Sequence, residues 1–522
     1  MDSGSETLYF RLIGSEADNE LHGTGITAGL DLKPISSRKE RHLFYDTFDS
    51  GAWQKGVVVV RRKGRIEAVR LDDGKPLASE QFKANPSSFM PSGLPEGPLR
   101  ELLLKCAGPR ACIRICAVDI AISSWRILDD NQKTIALLDS ETMRFGGQSA
   151  EKPFARYHSV TPLRGYNREL ARILRTLPRP VDTYRVIPFR ERTIHMFENC
   201  GYLPGRYSPK LRMQLDPEST IHENVRKLLQ FTSSVMADNE EGIRKDIDTE
   251  FLHDYRVAVR RNRSILRQLG GVFEPHKTGW LLTELRNLGK KSNELRDIDV
   301  YLLQKDAYLQ LLPPQLRQGL EMLFDELAVQ RGPILRQFAS YLAGADYRGF
   351  MAELTAFADD TAIPDQELAP NSALATRVAA AKSIRKAWKK VLAHGRRIGP
   401  DTDDAELHKL RIDCKKLRYL LEFFASLLPA HESSLLISHL KELQENLGDF
   451  VDLSVQIRFL TGRIGTIAQD AEGIWLAAAI GGLVSLLFRK QQEVRRCFEE
   501  AFGRFDDDKT GSLFENVLTT LG

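Results

Sequence analysis

His253-Asp254-Tyr255-Arg256-Val257-Ala258-Val259-Arg260-Arg261-Asn262-Arg263 is the segment whose periodicity settles what the second part of this chain is. Wound as a helix at about 100° per residue, His253, Arg256, Arg260, Arg263 and Arg267 share an arc of roughly 80°. Phe251, Tyr255, Ala258, Ile265, Leu266 and Leu269 take the opposite side. The spacing therefore predicts a helix with one apolar face and one cationic stripe. Like charges one turn apart repel, so the stripe costs stability unless an anion lies against it.

The pattern occurs twice. His408-Lys409-Leu410-Arg411-Ile412-Asp413-Cys414-Lys415-Lys416-Leu417-Arg418 begins 155 residues downstream (408 − 253 = 155), with basic residues at the same offsets from its histidine. Leu410, Leu417, Leu420, Leu421 and Phe424 form its apolar side. The register continues, because Leu285, Leu288, Asp297 and Val300 recur as Leu440, Leu443, Asp452 and Val455. Two copies of one supersecondary unit explain this most simply.

These H-x-x-R-x-x-x-[RK]-[RK]-x-R segments are each followed by a leucine-rich helix and by Leu295-Arg296-Asp297-Ile298-Asp299-Val300 or Leu447-Gly448-Asp449-Phe450-Val451-Asp452. From about Asp216 onward the chain resembles a CHAD domain, an all-helical fold of two four-helix units. The resemblance implies binding of inorganic polyphosphate and association with polyphosphate granules.

With 42% hydrophobic and 28% charged residues among 522, the chain reads as ordinary globular protein of two or three domains. A net charge of +4 is mild, so the clustering of cations on particular helices matters more than their number. Cys106, Cys112, Cys116, Cys200, Cys414 and Cys497 include no C-x-x-C pair, and reduced thiols in a cytoplasmic protein are expected rather than a zinc site. The polar, acidic stretch 1–20 lacks the apolar core of a signal peptide. The longest apolar run, Ile474 to Phe488, is shorter than the ~20 residues of a membrane span and is expected as a buried helix.

The first part has a different texture. Short β-rich runs occur at Thr7 to Ile13, Val57 to Arg62, Ile66 to Leu71, Ile113 to Ala121, Ser124 to Leu128 and Thr134 to Asp139, with helical patterns at Pro98 to Cys106 and Asn167 to Leu177. This predicts an antiparallel α+β domain, a twisted sheet or barrel. Phe44-Tyr45-Asp46-Thr47-Phe48-Asp49, then Gly51-Ala52-Trp53-Gln54-Lys55-Gly56 and a strand ending in Arg61-Arg62, resembles the CYTH, or triphosphate tunnel, family. That family opens on E-x-E-x-K; here, with Arg11 set against the lysine, Thr7 and Tyr9 occupy the glutamate positions. No alternating carboxylates stand at Arg156 to Thr161 either, and Glu67, Asp139 and Glu141 are at most remnants of a metal site. Without hard oxygen ligands a divalent ion has no anchor. The expectation is a degenerate CYTH-like domain with no metal, no cofactor and no catalytic residues.

A Pro-, Gly- and Arg-rich stretch then suggests a linker, giving domains at 1–177 and 218–522 with the connector 178–217 between them. The helical part divides into pseudo-symmetric four-helix bundles, at about 218–358 and 371–505. Helices are expected near 219–237, 250–269, 277–306 and 314–343, then 371–397, 404–427, 433–463 and 470–504.

The polyphosphate-binding residues expected are His253, Arg256, Arg260, Arg261 and Arg263 with Arg286, Lys290 and Lys291 in the first copy. In the second they are His408, Arg411, Lys415, Lys416 and Arg418 with Arg385, Lys389 and Lys441. Each histidine is either a phosphate hydrogen-bond donor or a helix-start residue bonded to a carboxylate such as Asp254 or Asp404. A flexible polyanion needs a track of cations, with Arg forks bridging oxygens and Lys acting as point charges. The leading function is non-enzymatic polyphosphate binding, with a granule surface as a further partner. The rivals are a metal-dependent triphosphatase, a granule scaffold, and a nucleic-acid binder disfavoured by the few aromatics on these faces.

Overall fold

The computed structural model describes residues 8–12, 31–145, 154–166, 184–465, 467 and 470–521, and the chain divides into two compact units between Ser208 and Pro209. Residues 1–7 and 13–30, the expected helix at Asn167 to Leu177 and the opening of the expected linker lie outside the described residues.

The first unit is one antiparallel sheet with strands β1 (Leu8–Leu12), β2 (Asp31–Asp46), β3 (Val57–Arg62), β4 (Arg65–Arg70), β5 (Pro76–Gln81), β6 (Ser88–Phe89), β7 (Cys112–Leu128), β8 (Thr134–Phe145), β9 (Ala155–Pro162) and β10 (Tyr184–Ile187). Their order is β10-β1-β9-β8-β7-β2-β3-β4-β5, with β6 paired to β7. The two runs expected at Ile113 to Ala121 and Ser124 to Leu128 are one strand, β7, paired with β2 from Asp46↔Ile113 to Asp31↔Leu128.

Alternation along these strands builds a core on each face of the sheet. Phe44, Val58, Val60, Val118, Ile120 and Met143 pack toward α3 (Phe189–Asn199), while Leu43, Tyr45, Val57, Val59 and Ile66 pack toward α2 (Pro98–Ala107). The expected linker is therefore not plain connector. Its residues 184–199 form β10 and α3 of the first unit, because Ile187, Met196 and Phe197 are buried in the sheet's core. In the Phe44-Tyr45-Asp46-Thr47 segment, Asp46 accepts from the backbone N–H of Thr47, Ala52 and Trp53 and so closes the turn into α1 (Gly51–Gln54). Burial pushes its carboxyl up to about 6, against those hydrogen bonds.

Two cysteines depart from the all-reduced expectation: Cys116 on β7 and Cys200 after α3 form a disulfide across 84 residues, with Cα atoms 5.8 Å apart. The carboxylates considered as metal remnants are each engaged by a side chain. Glu67 accepts from Arg62, Asp139 from Ser124, and Glu141 from Arg192. Against burial, which pushes it up, hydrogen bonds from Arg38, Lys63 and His42 hold Glu40 down to about 2. Among the described residues no group of three His, Cys, Asp or Glu side chains converges.

The second unit is helical: α4 (Ile221–Arg244), α5 (Thr249–Gln268), α6 (Pro275–Lys291), α7 (Asn293–Leu303), α8 (Lys305–Leu311), α9 (Pro314–Ala343), α10 (Ala345–Asp359), α11 (Thr376–Gly395), α12 (Asp404–Phe423), α13 (Ala430–Ile464), α14 (Ala471–Arg496), α15 (Phe498–Phe505) and α16 (Asp508–Thr520). The repeat is structural as well as textual. α5 and α12 begin and end 155 residues apart, and each is opened by an aspartate, Asp248 or Asp403, whose side chain accepts from the first-turn backbone N–H groups.

The two copies are related by a local twofold. Thr220 and Ala375, also 155 apart, form a backbone bridge. The N–H of Ile221 donates to the carbonyl of Leu374, and the N–H of Thr376 donates to the carbonyl of Ser219, the same bond made in both directions.

The copies differ further along. The helix expected over 277–306 breaks at Ser292, whose Oγ turns back to the carbonyls of Leu288 and Gly289, whereas α13 runs unbroken. The outer core is common to both repeats: Ile298, Leu320, Phe324 and Leu327 pack with Leu453, Leu460, Ile480 and Leu483. The apolar run in α14 is not wholly buried. Leu476, Ala479, Ile480, Leu483 and Leu487 face that core, while Ile474 (68% exposed), Trp475 (53%) and Phe488 (54%) point outward. The stretch Glu472–Phe505 is long and apolar enough, by length and composition, to cross a membrane.

Candidate anion-binding site

The stripe helices α5 and α12 pack on each other, and the local twofold brings Arg260 against its own repeat-mate, Lys415. Burial first, then Arg411 and Arg260, push the Lys415 ammonium down to about 8, against the charge of Asp452. The two stripes thus meet at one point, and that point carries an excess of positive charge.

On the first-copy side a cleft of about 280 Å³ opens between α5 and α6. Arg256, Arg260, Arg263, Arg286 and Lys290 line it with Val259, Gly289 and Asn293, so five cations face a space with no carboxylate in its lining. Arg256 is fixed by neutral acceptors: its guanidinium donates to the Gly289 carbonyl (3.1 Å), Ser292 Oγ (2.6 Å) and Asn293 Oδ1 (2.8 Å). These bonds orient the side chain without cancelling its charge. Burial, with Arg260 beside it, pushes the Arg256 guanidinium down to about 10, still protonated at neutral pH. Arg263 is pushed down too, by burial and then by Arg267, Arg286 and Arg260. The break at Ser292 therefore serves the site, since it presents a carbonyl, a hydroxyl and an amide to one arginine.

The second-copy side carries the same basic positions, but acids compensate several of them. Arg411 donates to Asp452 (3.0 Å), Arg418 lies 3.2 Å from Glu422, and Lys441 lies 3.3 Å from Glu445. Glu445 stands where the first copy has Lys290 (290 + 155 = 445). The two stripes therefore differ: cations alone line the first-copy cleft, while acids pair Arg411, Arg418 and Lys441 of the second copy.

Some expected residues point elsewhere. Arg261 donates to the Pro209 carbonyl and to Glu422, so it ties α5 to α12 instead of facing the cleft. Lys416 donates to Asp413 at 3.2 Å. Lys291 lies 4.7 Å from the Tyr341 ring centroid, a cation–π contact away from the cleft. Arg385 and Lys389 stand exposed on α11. Arg261 and Lys416 sit about 100° round the helix from Arg260 and Lys415, which is why adjacency in sequence misplaced them.

The histidines also differ. Arg296 donates to His253 Nδ1 at 3.0 Å, which puts the proton of the neutral ring on Nε2. His408 is exposed, and burial of its ring, Arg411, Lys415 and Arg458 together lower its pKa. Arg296 and Arg458 were missed by sequence because each is unrepeated: the positions 155 away are Val451 and Leu303.

Residues 227–461 match the family model of the CHAD domain. The chain is 29% identical over 224 residues to two uncharacterized proteins of Mycobacterium tuberculosis, MT2285 and Rv2226, covering 42% of this chain and 40% of each relative. It thus spans well under half the length of those curated relatives. Among solved structures, it resembles the CHAD domain from the plant Ricinus communis (24% identity, 56% of this chain and 96% of that one, TM-score 0.46). It also resembles PptA from Streptomyces chartreusis (16% identity, 55% and 100%, TM-score 0.44). The segment 227–461, which contains both basic helices and the crossing of Arg260 with Lys415, is a CHAD domain.

Proposed function

We propose that the helical unit binds inorganic polyphosphate without chemically altering it, along a track that begins in the first-copy cleft and passes over the Arg260–Lys415 crossing. One observation carries the reading: five cations line a cleft that no carboxylate enters, next to a lysine whose charge its surroundings disfavour. A chain of phosphates relieves both at once. Guanidinium forks bridge two phosphate oxygens, while Lys290 and Lys415 supply point charges. On this reading the protein acts in the cytoplasm, at polyphosphate granules. We read the first unit as a CYTH-like sheet without metal chemistry, because its candidate ligands Glu67, Asp139 and Glu141 are held by two arginines and a serine.

The test is binding of long-chain polyphosphate to the full chain across a salt series. About six phosphate contacts imply a loss of roughly a thousandfold between 50 and 200 mM salt, by analogy with nucleic acids. Arg256→Ala/Arg260→Ala should weaken binding strongly and Arg411→Ala less so. Binding indifferent to Arg256→Ala/Arg260→Ala overturns the proposal. Single-stranded RNA at matched charge should compete poorly, and divalent ions should release no phosphate from tripolyphosphate.

A further inference from the structure

The local twofold relates two junctions between α5 and α12. At one, Arg261 meets Glu422 in an ion pair. Its mate joins Lys416 (261 + 155) to Arg267 (422 − 155), so a salt bridge is replaced by two cations. At that junction lies a cleft of about 460 Å³, lined also by α11.

Its rim carries Arg267, Lys382, Lys386, Lys390 and Lys416, and its single carboxylate is Asp413. Lys390 (2.9 Å) and Lys416 (3.2 Å) both donate to Asp413, which accepts from His394 as well. Five cations against one acid leave a net charge of about +4 at the rim. Ile221, Leu269, Val272 and Leu420, all buried, make its floor.

The charge is peculiar to this side of the twofold. The first-copy counterparts of Lys382, Lys386 and Lys390 are Lys227, which is paired with Glu223, and the apolar Phe231 and Val235. An apolar floor beneath a polycationic rim, in a volume typical of small-molecule sites, suits a ligand with an apolar body and several phosphates.

We propose that this cleft is a second anion site, separate from the polyphosphate track, and that it takes a compact organic polyphosphate of the nucleoside-triphosphate kind. The body rests on the Leu269–Leu420 floor, and the phosphates engage Lys382, Lys386 and Arg267, which have no carboxylate partner among the described residues.

Calorimetric titration of the full chain with ATP and with inorganic tripolyphosphate, both free of magnesium, tests this. ATP should bind more tightly than tripolyphosphate. Lys382→Ala/Lys386→Ala, at exposed positions that leave the fold intact, should weaken ATP by about tenfold per lysine removed. Ala387→Phe should fill the floor and weaken ATP but not tripolyphosphate. Arg256→Ala/Arg260→Ala, which lie outside this cleft, should leave ATP affinity unchanged. ATP affinity unmoved by the lysine substitutions, or tripolyphosphate binding as tightly as ATP in the Arg256→Ala/Arg260→Ala background that removes the first track, would overturn the proposal.

Discussion

Lys415→Met is the substitution in which stability and binding should move in opposite directions. Lys415 falls from an ordinary 10.5 to about 8 in the folded chain, because burial and the neighbouring arginines disfavour its charge. The unfolded chain keeps that proton up to about 10.5, so the folded state alone carries the penalty. It is present in full below pH 8 and fades as pH rises toward 10.5, where the unfolded state binds more protons. Each unit corresponds to about 1.4 kcal/mol, an upper bound near 3 kcal/mol that residual solvent contact reduces to about 1–2 kcal/mol. Methionine keeps the length and apolar stem but removes the charge, so the variant should be more stable by about that amount at pH 7. Urea unfolding followed by helical ellipticity measures this.

A bound polyanion must raise the Lys415 pKa again. Wild-type polyphosphate affinity should therefore fall with rising pH above 8, approaching tenfold per unit, and calorimetry in buffers of different ionisation enthalpy should show proton uptake. Lys415→Met should bind less tightly and lack both effects above pH 8. A variant less stable than wild type, or one with an unchanged pH slope, would refute the reasoning.

Glu445→Gln releases Lys441 and gives the second copy a charge balance nearer the first; polyphosphate affinity should rise about threefold at low salt, read by the same titration. Glu422→Ala leaves Arg261 and Arg418 without their carboxylate, and should cost roughly 1–3 kcal/mol on urea unfolding. Peptide mapping of the oxidised protein without reductant should recover Cys116 linked to Cys200, while Cys106, Cys112 and Cys414, all buried, should resist alkylation until the chain unfolds.

The helical repeat was legible because helical faces are written at a fixed angular spacing and the two copies keep one offset. The sheet was less so. β2 is exposed over most of Asp31–Arg41, so Ser36-Ser37-Arg38-Lys39-Glu40-Arg41 shows no apolar alternation, and only pairing with β7 makes it a strand. The break at Ser292 was hidden because Lys290-Lys291-Ser292-Asn293 contains neither Gly nor Pro. The acids that quiet the second stripe could have been found, since Lys441/Glu445 and Arg418/Glu422 are four residues apart on helices. What no local pattern held was the crossing of the two stripes, which depends on contacts 155 residues apart.

That crossing has a consequence of its own. On a true twofold axis a side chain meets an identical copy of itself, and two identical ionisable groups can attract only if one gives up its charge. A symmetric pair of subunits is therefore bound to put like against like on its axis, whatever residue it uses. Joining both halves in one chain removes that obligation, since each position can then be chosen alone. This chain has used the freedom at Glu422 opposite Arg261 and at Glu445 in place of Lys290, but on the axis it keeps Arg260 against Lys415. Mutual repulsion there is retained where a single acidic substitution would abolish it, and on the proposed reading only a guest of opposite sign relieves it.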